Sequence, residues 1–191
     1  MNLPNRLTVL RVVLALVFIF ILPLAGLAAK VSALLIFSLA SFTDYLDGSI
    51  ARKTGTTTPF GAFLDPIADK ALTFSAFCGF IQLGIVPAWM VVLIVVRDLS
   101  VTGLRLLMRG DIKKASAQIS GKHKTVIQFS AILFILVYLI LRETSFWRMD
   151  WNAPSGLMIY WGMIYVVGFT LYSGIVYIYA NRRYLTGSAS E

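Results

Sequence analysis

Four aspartates, Asp44, Asp47, Asp65 and Asp69, stand in the segment DYLDGSIARKTGTTTPFGAFLDPIADK (residues 44–70), inside a chain that is 58% hydrophobic. An ionised carboxylate in hydrocarbon is costly unless its charge is cancelled. Three arrangements would cancel it. Ion pairing could draw on Arg52, Lys53 and Lys70, but these are three cations for four anions. A cation path is the second, because intramembrane acids often mark ion routes. A divalent metal site is the third: oxygen donors with no His or Cys in the segment suit Mg²⁺ or Mn²⁺. Two such ions bridged by shared carboxylates would suit an in-line displacement at phosphorus.

The elements that hold these acids follow from helix length. Val12–Ala29 and Val31–Thr43 are uncharged apart from the Lys30 between them, and the second run has only 13 residues. At 1.5 Å per residue it is too short for about 30 Å of hydrocarbon. It reaches that length only if the helix continues through Asp44 and Asp47 to about Ala51. Those acids therefore belong to the membrane helix itself, near its end. Asp44, Asp47 and Ala51 are three and four residues apart and share one face; Asp65 and Asp69 are four apart and share a face of the next helix. Gly48 and Gly61 leave room for close approach, and Pro66 is expected to bend the third helix.

The remaining spans are predicted at about 61–83, 87–108, 125–141 and 153–180, the first two joined by a tight turn at QLGIVP. Residues 2–11, with Leu3, Leu7 and Leu10 on one face, read as a short interfacial helix before the first span. Gly26-Leu27-Ala28 resembles a cleavage site, but the run before it is long for a signal peptide, so the span is expected to stay as an anchor. The fold expected is all-α and integral to a membrane: six transmembrane helices with a short N-terminal interfacial helix, forming one domain over residues 1–191. Only 14% of the residues are charged, against about 25% in soluble domains. The one cysteine, Cys78, excludes an internal disulfide and reads as a buried, inert thiol.

Net charge is +8, which would suit nucleic acid, anionic lipid or an anionic substrate. No basic tail or RNA-type motif is present, so no nucleic-acid partner is expected. With the N-terminus inside, twelve cations fall on the cytoplasmic side and three, Lys30, Arg142 and Arg148, on the other. Both termini and the aspartate segment are thereby placed on the cytoplasmic edge. A transporter would instead favour acids near mid-bilayer on broken, repeated helices.

The segment reads D-x2-D-G-x2-A-R-x8-G-x3-D-x3-D, with Asp44, Asp47, Gly48, Ala51, Arg52, Gly61, Asp65 and Asp69 at its constant positions. In this it resembles the signature of the CDP-alcohol phosphotransferases. The resemblance implies a six-helix membrane fold, usually a homodimer, that exchanges the CMP of a CDP-linked lipid for an alcohol. It implies that Asp44, Asp47 and Asp65 bind a pair of divalent ions. Asp69 would take the acceptor's hydroxyl proton and also contact the metal. Arg52, with Gly48, Ala51 and Gly61, would accommodate the CDP group.

Two shorter segments bear on the acceptor: RDLSVTGLR (97–105) closes the fourth span and GKHKT (121–125) opens the fifth. Arg105, Arg109, Lys122 and Lys124, with Thr125, suit a phosphate-bearing acceptor. Positive-inside anchoring is the competing role, above all for Arg109, and His123 reads as exposed and incidental. Together with DPIADK (65–70) and PNRLTVLR (4–11), whose Asn5 and Thr8 would join the CDP-lipid site, these segments are similar to the phosphatidylglycerophosphate-forming branch of the family. Many members of that branch have Glu after the first arginine of RDLSVTGLR; here it is Asp98, and Arg-Asp is often found in cardiolipin synthases. The implied reaction moves a phosphatidyl group from CDP-diacylglycerol to sn-glycerol 3-phosphate. Phosphatidylglycerol (cardiolipin synthesis) and inositol phosphate are the alternative acceptors, and a divalent-cation transporter is the alternative outside the family. The expected location is a bacterial inner membrane, among membrane lipids, with the active site facing the cytoplasm.

Overall fold

Pro23 and Gly26 decide where the first helix stops. The proline has no N–H to continue the ladder and its ring crowds the preceding turn. Gly26 takes a positive φ of 96°, which other residues rarely adopt. The first helix therefore ends at Ile21, well before the Ala29 expected from the apolar run. The computed structural model describes the backbone of residues 3–54, 59–107, 118–144 and 152–182. It describes side chains for residues 6–43, 67–68, 70–104, 124–144 and 155–182.

Six helices follow one another: α1 (Leu3–Ile21), α2 (Leu27–Thr54), α3 (Pro59–Gln82), α4 (Ala88–Leu107), α5 (Gln118–Glu143) and α6 (Asn152–Ala180). No strand occurs among the described residues. The expected separate N-terminal helix is corrected: residues 3–11 are the first turns of α1, because neither glycine nor proline interrupts the chain between Asn5 and Leu22. Leu10 is exposed, and the buried stripe is Thr8, Arg11, Ala15, Phe18 and Leu22 at spacings of three and four. At QLGIVP the expected turn is present. Gly84, at φ 68°, donates to Ile81 O, and Ile85 N donates to Phe80 O at 3.0 Å, the paired bonds that close a helix on a left-handed glycine.

The chain forms two compact units: Met1–Ile85 with Ile132–Ser155, and Val86–Ala131 with Gly156–Glu191. In the first, α1 packs along both α2 and α3, while α2 and α3 touch each other far less. Small buried residues (Ala15 on α1, Ala33 and Ala40 on α2, Ala68 and Ala76 on α3) let the backbones approach. Phe18 and Phe37 meet with ring centroids 5.9 Å apart. Gly79 stands where α3 meets the end of α1: a Cβ there would lie 2.5 Å from Leu22 Cδ2, so the Leu22 side chain would have to shift. Lys30, buried at the start of α2, donates to Leu22 O at 2.7 Å and Leu24 O at 3.0 Å, binding the carbonyl end of α1.

In the second unit, Val101 and Leu104 of α4 pack with Tyr177 of α6. Met90, Val91 and Ile94 continue the α4 core, and Met163, Val166 and Val167 that of α6. The outward faces are apolar as well: Val13, Leu16 and Phe20 on α1, Val92 and Val96 on α4, and Trp161, Tyr165 and Ile175 on α6. Among the described residues, Lys124–Glu143 and Ser155–Ala180 are long and apolar enough to cross a membrane. Cys78 corrects another expectation: it is exposed, because Phe77 and Phe80 occupy the inward positions of that turn.

Candidate active site

The first two aspartates lie within the second helix, as its expected continuation to about Ala51 requires. α2 runs without a break through Asp44 and Asp47 to Thr54, 28 residues in all, or about 42 Å. Asp65 and Asp69 lie on α3, which also runs unbroken through Pro66. Each pair therefore keeps the helical register that puts its members on one face. Asn5 is on α1, Gly48, Ala51 and Arg52 are on α2, and Gly61 is on α3. The side chains of Asn5, Arg52 and the four aspartates lie outside the described residues. Thr8 is described: with Arg11 it is fully enclosed on the face of α1 that packs along α2 and α3. At the other margin of the signature, Thr43 is buried and its hydroxyl donates to Ala40 O at 2.8 Å, so it serves its own helix.

The second unit holds a polar layer in its interior. Asp98 on α4 is 1% exposed and Lys124 on α5 is 3% exposed, and the Lys124 ammonium donates to Asp98 Oδ1. Arg97 donates to the same oxygen through Nη1 at 3.2 Å and, through Nη2, to Ser173 Oγ on α6 at 2.8 Å. Gly174 makes this reach possible: a Cβ at that position would stand 2.8 Å from Arg97 Cγ and 2.9 Å from its Nε. One turn along α5 and α6, Gln128 Nε2 donates to Thr170 Oγ1 at 3.5 Å. Three helices are thus joined through charge and hydroxyl groups where apolar contacts would otherwise suffice. Breaking one member of such a buried pair costs about 3–5 kcal/mol, because the other charge is stranded.

Of the expected acceptor residues, then, Lys124 is an interior group already engaged by a carboxylate, and Thr125 beside it is exposed. Arg105 lies on α4 and Lys122 on α5, their side chains outside the described residues, as is Arg109 altogether. Arg97, Asp98, Ser173 and Gly174 were not among the expected site residues. A signal for Asp98 was present: an acid within an apolar helix calls for a partner in the interior. No sequence spacing pairs it with Lys124, 26 positions away. Among the described residues no group of three His, Cys, Asp or Glu is placed to hold a metal.

Residues 1–172 match the profile of the CDP-alcohol phosphatidyltransferases. The CDP-diacylglycerol–glycerol-3-phosphate 3-phosphatidyltransferase of Bacillus subtilis is 35% identical over 196 residues, covering 94% of this chain and 95% of the relative. Its namesake in Salmonella choleraesuis is 35% identical over 190 residues, covering 95% of each. A probable phosphatidylglycerophosphate synthase of Mycobacterium tuberculosis is 49% identical over 141 residues, 71% of this chain and 66% of the relative. The chain belongs to the CDP-alcohol phosphatidyltransferase family.

Proposed function

We propose that this protein transfers a phosphatidyl group from CDP-diacylglycerol to sn-glycerol 3-phosphate and releases CMP. The observation that carries the reading is the complete eight-position signature on two consecutive unbroken helices, in a chain whose full-length relatives bear the name of that activity. The donor set fits a metal: four carboxylates and no nitrogen or sulfur ligand, the set that hard divalent cations prefer. Asp44, Asp47, Asp65 and Asp69 would hold two ions, Mg²⁺ or Mn²⁺, which when bound supply charge neutralisation at the diphosphate.

Asp69 takes the proton of the acceptor's hydroxyl as that oxygen attacks the β-phosphorus. The bond from this phosphorus to the CMP oxygen breaks, and CMP leaves with the electron pair. Asn5, Thr8 and Arg52, with the small residues Gly48, Ala51 and Gly61, receive the CDP lipid. Arg105, Arg109, Lys122, Lys124 and Thr125 receive the phosphate of the acceptor. All six helices span the membrane, a reading supported by apolar residues on the outward as well as the inward faces of α1, α4 and α6. The enzyme works as a homodimer in a bacterial inner membrane, with its signature acids on the cytoplasmic side, where loop cations are in excess.

Purified protein in detergent, given CDP-diacylglycerol and Mg²⁺ with a panel of acceptors, provides the test through CMP release. Release that depends on sn-glycerol 3-phosphate and stops on chelation is the expected result. Release with phosphatidylglycerol or inositol phosphate in its place would reassign the acceptor, and release unaffected by chelation would remove the metals.

A further inference from the structure

We infer that Asp98 is a positioning residue for the acceptor's phosphate, acting through Lys124. The inference rests on the proposed role of Lys124 as a phosphate-binding group and deepens it. A lysine side chain has four rotatable bonds and a strongly hydrated ammonium, so in water its charge is poorly localised. Lys124 is different: it is 3% exposed, and its ammonium is held by a carboxylate that is itself 1% exposed. Asp is the shorter of the two acidic side chains and is borne on the rigid backbone of α4, so it ties the ammonium close to that helix. Arg97 adds a second tie to the same oxygen and is anchored in turn by Ser173, across the bare backbone of Gly174. The result is a cation with a set location on α5, where a flexible one would have to be ordered by each incoming substrate.

Ammonium groups carry three donors, and Asp98 Oδ1 takes one of them. A carboxylate at one N–H of an ammonium is compatible with an anion at another, so holding Lys124 in place does not oppose phosphate binding. Asp98 touches no substrate in this scheme. Its removal should act on acceptor binding and leave the CDP-lipid alone.

The test measures kcat and both KM values by CMP release for Asp98→Asn, Asp98→Glu, Lys124→Ala and the double variant Asp98→Asn/Lys124→Ala, in detergent with Mg²⁺. Asp98→Asn is expected to raise the KM for sn-glycerol 3-phosphate about tenfold, the size of an ordinary coupling between contacting groups. The KM for CDP-diacylglycerol should be unchanged, and kcat should fall by less than the acceptor KM rises. Asp98→Glu keeps the ion pair and the fold but displaces the ammonium, so it should raise the same KM about threefold. The double variant should match Lys124→Ala, because Asp98 has nothing left to position. Equal changes in both KM values, or an Asp98→Glu enzyme with unchanged acceptor KM, would overturn the inference even if Asp98→Asn fails to fold. If Lys124→Ala raises the acceptor KM and the Asp98 variants do not, only the positioning role fails. If Lys124→Ala leaves that KM unchanged, the acceptor reading of Lys124 fails and takes this one with it.

Discussion

Among the described residues two lysines are buried, one in each compact unit, and they are satisfied in different ways. Lys30 gives its protons to the carbonyls of Leu22, just past the last turn of α1, and of Leu24, in the bend that follows. Lys124 gives one to the carboxylate of Asp98. Carbonyls are dipoles of the backbone, present whatever the side chains are, and they are left over at every helix C-terminus. Lys30 therefore closes a need that the fold itself creates. A carboxylate in an apolar interior is a need created by one residue choice, and Leu at position 98 would have avoided it. The contrast teaches that burial of a charge is not by itself a sign of function. A partner whose presence the fold does not require is the better sign.

That contrast can be broken in graded ways. The largest effect should come from the signature acids, which belong to neither lysine: Asp69→Asn should lower turnover about a thousandfold, the loss expected for a general base. CDP-diacylglycerol binding, followed with the labelled nucleotide lipid, should survive. Near-normal turnover would remove Asp69 from the role of base. Next, Lys124→Ala should raise the KM for sn-glycerol 3-phosphate about tenfold, the effect of losing one charge-assisted contact. A change confined to the lipid substrate would move Lys124 to the other pocket. Lys30→Ala should leave both KM values alone and instead reduce stability by about 1–3 kcal/mol, because two carbonyls lose a charged donor. A thermal melt in detergent measures this, and a kinetic phenotype without a shift in Tm would erase the distinction between the two lysines. The smallest effect is expected at Gly79→Ala. The new methyl would press on Leu22, a flexible side chain that can yield, and the gain in helix propensity of about 1 kcal/mol offsets part of the strain. The melt should shift by only a few degrees.

Helices were legible where length and punctuation agreed. α3, α4 and the QLGIVP turn lie within a few residues of their expected places, and the shortness of Val31–Thr43 was enough to put Asp44 and Asp47 on α2. At the start of the chain the apolar run Val12–Ala29 hides the helix end that Pro23 and Gly26 impose, and Leu3, Leu7 and Leu10 imitate a separate helix where α1 is continuous. A periodic apolar pattern cannot tell a lipid-facing stripe from a packed one when both are apolar. The same ambiguity hid the orientation of Cys78. In α1 it was the small and polar residues, Thr8, Arg11 and Ala15, that marked the packed side. The polar layer of α4, α5 and α6 was the least legible part. Asp98, Lys124 and Ser173 are distant in sequence, and nothing local to any of them names its partner. The signature acids, by contrast, carried their meaning in spacings of three and four.

α1 also bears on the order in which the protein can be assembled. It contains no acid, yet it packs along both helices that carry the signature, and these touch each other much less than they touch it. A chain made from its N-terminus completes α1 before either of them. α2 and α3 can then dock on a surface that already exists, each guided by its own small residues. The two helices that carry the aspartate motif thus share a packing partner that has no part in the motif.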